Sequence, residues 1–168
     1  MIKNAVGGSR RAFEMLMNGY VRIIYSYALA RVGSHQDAQD ILQETMLAIW
    51  RGIGSFKGES SFKTWLMGIA RRKISDHFRS IYKTGGMPLS DMGDKLSADG
   101  GMSSLDEAVD IQNAVKKLND SERELVFLVF TAQMTYAEAS KTLEVPVGTV
   151  KSRMSRIKSK LKAQLEKG

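Results

Sequence analysis

Apolar residues in the first half of the chain recur at intervals of three and four. Phe13, Leu16, Met17, Tyr20, Ile23 and Ile24 form one such stripe. That period is the mark of an amphipathic helix, and residues from about Ser9 to Tyr82 read as helical throughout. A second helix is predicted from Ser34, a suitable N-cap, to Trp50, with Ala38, Ile41, Leu42, Thr45 and Ile49 turned inward. Gly52, Gly54 and Gly58 then mark a loop, and a third helix is predicted from about Ser61 to Ile81.

The periodicity stops after Tyr82. "KTGGMPLSDMGDKLSADGGMSSLDE" holds five glycines and a proline, and its acids Asp91, Asp94, Asp99, Asp106 and Glu107 face a single internal base, Lys95. Such composition predicts a flexible acidic linker over residues 83–105. Helices resume near Ser104. "FLVF" at Phe127–Phe130 is short and apolar like a strand, but it lies inside a helical pattern. The expected fold class is all-α: two small helical domains, 1–82 and 106–168, joined by the linker.

The last segment has an internal plan. Thr135 can cap a helix over "YAEASKTL". The chain turns at Glu144-Val145, and Pro146 suits the first turn of a second helix, where its missing N–H costs nothing. Two short helices across a tight turn match a helix-turn-helix. In the second helix Val147, Val150, Met154, Ile157 and Leu161 step by 3, 4, 3 and 4 and form the inward stripe. Thr149, Lys151, Ser152, Arg153, Ser155 and Arg156 are left for the other faces. Their side chains suit base edges and phosphates. Lys158, Lys160 and Lys162 follow, toward phosphates or solvent. An ordinary solvated basic helix is the plainer alternative.

Charge strengthens the DNA reading. The 168 residues carry 25 Lys and Arg against 18 Asp and Glu, a formal net charge of +7 and a pI near 9.7. That balance points to a polyanion, nucleic acid or an anionic membrane surface. With 43% hydrophobic residues the chain can bury cores. There is no cysteine, which excludes disulfides and thiolate chemistry, and His35 and His77 lie far apart, outside any ligand spacing. No metal or other cofactor is expected. No stretch approaches the roughly 18 apolar residues of a membrane span, and "MIKNAVGGSRR" has no apolar signal core, so a cytoplasmic location is expected.

Two faces of the first domain suggest partners. On the second helix Asp37, Asp40 and Glu44 share a side, with Gln43 beside them. This is either a solvated face or a docking face for a basic protein surface. The third helix interleaves Phe62, Trp65, Phe78 and Tyr82 with Lys63, Arg71, Arg72, Lys73, Arg79 and Lys83. Aromatics among bases suit single strands. The helical spacing of Phe62, Trp65 and Ile69, taken alone, favours the core for Trp65. The loop Gly54 to Ser61 has room for a flipped base.

In order along the chain, "DAQDILQETMLAIW", "FKGESSFKTWLMGIARRKISDHFR" and "VPVGTVKSRMSRIKSKL" resemble a bacterial sigma factor of the extracytoplasmic function (ECF) group in the sigma-70 family. "SRRAFEMLMNGYVRIIYSYALARVGS" also fits the family's start. The resemblance covers nearly the whole chain except the linker. It implies a subunit that binds core RNA polymerase, directs it to a promoter and helps open the duplex. By position, Asp37, Asp40, Gln43 and Glu44 match the part that docks on the clamp coiled coil of the polymerase's largest subunit. Residues in Ser55 to Tyr82, namely Phe56, Lys57, Ser60, Lys63, Trp65, Arg71, Arg72, Lys73, Asp76 and Arg79, match the part that recognises and melts the −10 element. Thr149, Lys151, Ser152, Arg153, Ser155 and Arg156 match the reader of the −35 duplex. Relatives are often held inactive by an anti-sigma factor, which makes such a protein an expected partner. Linker reach is compatible: 23 residues extend to about 76 Å at ~3.3 Å each, against about 70 Å for two turns of B-DNA.

The chain departs from the family pattern at three places. Arg72 stands where Asn is common, Glu144 where the turn commonly has Gly, and Ala139-Ser140 where Ile-Ala is preferred. A different class of function is an autonomous helix-turn-helix regulator, which binds duplex without polymerase. Such regulators normally add a ligand-binding, receiver or dimerisation domain. A DNA-cutting enzyme needs a nucleophile beside a base. Ser80 and Tyr82 offer hydroxyls with no evident base nearby, so no enzymatic activity is expected.

Overall fold

The computed structural model describes residues 1–85 and 105–167, and among them every regular element is helical. Backbone contacts gather into two units, Met1–Asp91 and Met92–Gly168. The linker expected over 83–105 lies outside the described residues except at its ends. There Lys83 closes one helix and Leu105 opens the next.

The first unit contains α1 (Ile2–Val6), α2 (Arg10–Asn18), α3 (Val21–Val32), α4 (His35–Gly52), a 3₁₀ turn at Ile53–Ser55 and α5 (Phe62–Lys83). The stripe from Phe13 to Ile24 spans a break between α2 and α3, where one helix had been expected. Gly19 and Tyr20 tighten into i−3 hydrogen bonds, Tyr20 N–H reaching Met17 O at 2.8 Å. The stripe survives the break because Tyr20 still turns inward and sets its ring 5.4 Å from that of Phe62. Gly33 ends α3 in the left-handed region at φ 69°, and Ser34 caps α4 by accepting from the Asp37 N–H at 3.3 Å. Packing of α3, α4 and α5 buries Ile24, Tyr27, Ala38, Ile41, Ile49, Leu66, Met67, Ala70 and Ile74. Met17 of α2 joins this core, and α1 packs against α2 and the 3₁₀ turn.

The second unit contains α6 (Leu105–Lys116), α7 (Asp120–Val126), α8 (Tyr136–Leu143) and α9 (Val147–Lys167). After α7 the chain stays helical through "FLVF" and widens to π geometry at Phe127–Thr131. α9 is the hub, contacted by α6, α7 and α8. Ala114, Leu118, Leu125, Leu128, Met134, Ala139, Leu143, Val150, Met154 and Ile157 fill the core.

The helix-turn-helix has strong local causes. Thr135 and Glu138 exchange hydrogen bonds in a capping box at 2.8 and 3.1 Å, which fixes the start of α8. At its end the Val145 N–H reaches Ser140 O at 3.1 Å and the Glu144 N–H reaches Lys141 O at 3.3 Å. This is a Schellman closure, and it holds Glu144 at φ 57°, ψ 41°. The left-handed position commonly filled by glycine is thus occupied by a residue with a Cβ, at a cost of about 1 kcal/mol. Pro146 immediately precedes the first residue of α9, one place earlier than expected, and its carbonyl accepts from Thr149 and Val150 at 3.0 and 3.3 Å.

Candidate nucleic-acid interface

At about 100° per residue, Trp65, Arg72, Asp76 and Arg79 fall on one line of α5, opposite the buried Leu66, Met67, Ala70 and Ile74. Arg72, Asp76 and Arg79 are exposed, with Arg79 and Asp76 3.7 Å apart. Arg71 and Lys73 lie on the two flanks, and Lys63, in the first turn, falls on the side of the buried stripe; all three are half-buried. The ten residues matched to −10 recognition therefore divide into an outward line, two flanks, the first turn of α5 and the loop.

Trp65 is not a core residue, against the expectation from spacing. It is half-buried, with its ring 5.2 Å from Phe56 and 5.7 Å from the buried Phe62. A side chain at Gly52 would meet its ring edge at 3.6 Å. The ring is gripped on one side and open on the other. Phe56 anchors the preceding loop to this cluster, while Lys57, Gly58 and Glu59 are exposed and Ser60 is half-buried. Gly58 turns the loop at φ 75°. Ser61 closes it by capping α5, accepting from the Thr64 N–H at 3.1 Å.

On α4 the acidic set separates. Asp40, Gln43 and Glu44 are exposed on one side. Asp37 is half-buried and leans toward α5, its Oδ2 3.7 Å from His77 Nε2. Leu47, 53% exposed, extends the acidic line by one turn, and Trp50 stands at its end, edge-on to Phe13 at 4.8 Å. The sequence held a signal for Leu47, since it is an apolar residue left out of the inward stripe.

On α9, Lys151, Ser152, Ser155 and Arg156 are exposed, whereas Thr149 and Arg153 flank the buried stripe and are half-buried. Val147 was expected in that stripe but, as the first residue of α9, is 40% exposed. Lys158 and Lys160 are also more engaged than expected. Lys158 Nζ donates to the Tyr136 hydroxyl at 3.3 Å, and Lys160 pairs with Glu122 of α7. The Lys160 ammonium holds the Glu122 carboxyl below its ordinary value, against the opposing effect of burial. Among the described residues no cluster of His, Asp and Glu could hold a metal ion, and no helix is long and apolar enough to cross a membrane.

Comparison with known proteins decides what carries these faces. Sigma-70 region 2 matches residues 16–84, and sigma-70 region 4 matches residues 108–161. The chain is 30% identical to the ECF RNA polymerase sigma factor SigW of Bacillus subtilis, over 98% of this chain and 94% of that one. This protein belongs to the ECF group of the sigma-70 family. The sigma factor is also 31% identical to the ECF RNA polymerase sigma factor BldN of Streptomyces coelicolor, over 90% of its length but only 60% of that longer protein. Its fold matches that of the sigma factor RpoE from Bartonella quintana, solved in complex with the anti-sigma factor NepR. The TM-score is 0.72 at 24% identity, covering 93% of this chain and 98% of that one. A sigma factor is a transcription regulator, and the two matching regions contain all of α5 and α9 as far as Leu161.

Proposed function

We propose that this sigma factor binds core RNA polymerase and directs initiation at promoters with −35 and −10 elements. The observation that carries the reading is the pairing, in one chain, of two unlike faces. One is the outward aromatic and basic line on α5; the other is the exposed Lys151, Ser152, Ser155 and Arg156 on the second helix of a helix-turn-helix. In this reading residues 1–82 dock on polymerase and open the −10 element, residues 83–105 connect, and residues 106–168 read the −35 duplex.

Each step follows from the chemistry of its face. α9 enters the major groove N-terminal end first. Arg156 and Lys151 pair with bases or phosphates, and Arg153, Thr149, Ser152 and Ser155 complete the contact. At −10, a base leaving the stack needs a replacement surface. Trp65 offers a ring, the Gly54–Ser61 loop takes a flipped base, and Arg72 and Arg79 track the strand, with Lys57 and Lys63 near the loop and Arg71 and Lys73 at the sides. Asp76, paired with Arg79, sets that guanidinium's direction. Asp40, Gln43 and Glu44, with Asp37 at their edge, dock on a basic surface of the polymerase clamp. The protein works in the cytoplasm without a cofactor or chemistry of its own. An anti-sigma factor, the kind of protein seen bound to RpoE of Bartonella quintana, is a further partner.

The test is transcription from a fragment library of the host genome by core polymerase with and without the protein. New, discrete start sites that need both components are the expected result. Duplex binding by the protein alone, with no polymerase association and no new transcripts, would overturn the reading.

A further inference from the structure

We propose that Gly68 forms the floor of a nucleotide-sized notch on α5, where bare helix backbone meets the melted strand. The inference rests on the reading of α5 as the strand-opening face. Gly68 sits inside a 22-residue helix, three residues after Trp65 and four before Arg72, so the three share one outward line.

A glycine in mid-helix needs a reason, because alanine there is more favourable by about 1 kcal/mol. Two internal reasons exist, and neither applies. The first is conformational: positive φ is found at Gly8, Gly33, Gly58 and Gly85 but not at Gly68, which is regular helix. The second is close packing within the fold. A Cβ built at Gly68 meets nothing within 4 Å, whereas at Gly52 it would meet the Trp65 ring. The space above Gly68 is empty in the protein and is bounded along the helix by an aromatic ring and a guanidinium.

The dimensions suit a strand. Seven residues at 1.5 Å rise place Trp65 and Arg72 about 10 Å apart along the axis. A strand of stacked duplex rises about 3.4 Å per nucleotide, and a melted strand is longer per nucleotide, so that distance spans at most about three nucleotides. A base stacks on Trp65, Arg72 meets a phosphate or base edge, and the sugar-phosphate between them lies against the Gly68 Cα, within reach of weak C–H···O contacts. A side chain at residue 68 would lift the strand off both neighbours at once.

The experiment compares the full chain with Gly68→Ala and Gly68→Leu. Three quantities are measured: thermal unfolding, association with core polymerase, and opening of a promoter fragment read by permanganate reactivity of unpaired thymines. Both replacements are good helix formers, so the melting temperature should rise and polymerase association should hold. Opening should fall about tenfold for alanine and further for leucine. Undiminished opening would overturn the proposal. A lower melting temperature would overturn it in favour of an internal packing role, and lost polymerase association would overturn it in favour of a protein contact. If the unsubstituted chain does not open the fragment with core polymerase, the strand-opening reading of α5 fails, and the proposal with it.

Discussion

The two basic helices of this protein are built on different plans. α5 buries a stripe and then turns out a half-gripped indole, two arginines and a bare glycine; α9 buries a stripe and turns out short hydroxyls, a lysine and an arginine, with no aromatic. An indole offers a flat substitute for a neighbouring base but has no place in a groove whose bases are already stacked. Serines beside Lys and Arg fit hydrogen-bonding edges but give an unstacked base nothing to lie on. Similar net charge on two helices thus carries two different tasks, and the uncharged residues between the charges decide which.

The sharpest way to break this contrast is Trp65→Ala. Loss of one stacking surface is worth ~1–3 kcal/mol, so opening of a promoter should drop by about 5- to 150-fold while −35 duplex binding stays unchanged. Trp65→Phe should recover part of the loss. Equal loss at both elements would overturn the assignment of Trp65 to the −10 strand. On the other helix, Arg156→Ala and Arg153→Ala should each weaken promoter use by ~1–3 kcal/mol at one −35 position, with polymerase binding intact. A uniform loss across −35 variants, scored by competition among randomised sites, would reassign that arginine to phosphate.

A third substitution tests the split within the acidic set. Asp40→Lys should lower affinity for core polymerase by about tenfold at moderate salt. Asp37→Asn should change it less, because Asp37 already faces His77. Identical effects in a pull-down titration would restore Asp37 to the docking face. Smaller still, Glu144→Gly should stabilise the second unit by about 1 kcal/mol, raising its melting temperature by roughly 4–8 °C.

The smallest effect is on pH dependence. Glu122 is depressed below its ordinary 4.5 in the folded state, so its contribution is complete above that value. It is lost as pH falls through the lower folded value. Glu122→Gln, which keeps the capping box, should flatten acid unfolding of the second unit. An unchanged acid limb would show that the Lys160 pairing does not persist in solution.

Local causes were the legible part of the sequence. Ser34 and Thr135 announced their helices because capping is decided within four residues, and the α9 stripe was readable from Val150 onward because burial there repeats with the helix. What could not be read depends on distance in sequence. Asp37 meets His77 across 40 positions and Lys160 meets Glu122 across 38, and no periodicity encodes either. Trp65 was misjudged because spacing gives a face, whereas burial depends on how far Phe56 and the loop cover that face. Val147 failed for a similar reason: it continues the stripe at the helix end, yet is left exposed. The region assignments came from motif order, and the residue-level split of α5 into line and flanks came only with the fold.

The placement of the aromatic cluster also determines how the molecule can be watched. Both tryptophans, Trp50 and Trp65, lie in the first unit, so intrinsic indole fluorescence follows that unit alone and is silent on the second. The buried methionines supply the missing signal. Met17 and Met67 sit in one core, Met134 and Met154 in the other, and Met15 is exposed as a reference. With no thiol in the chain to intercept mild oxidant, sulfoxide formation at each buried methionine reports the opening of its own core. Mass spectrometry of oxidised peptides can therefore time the two halves separately in a single tube.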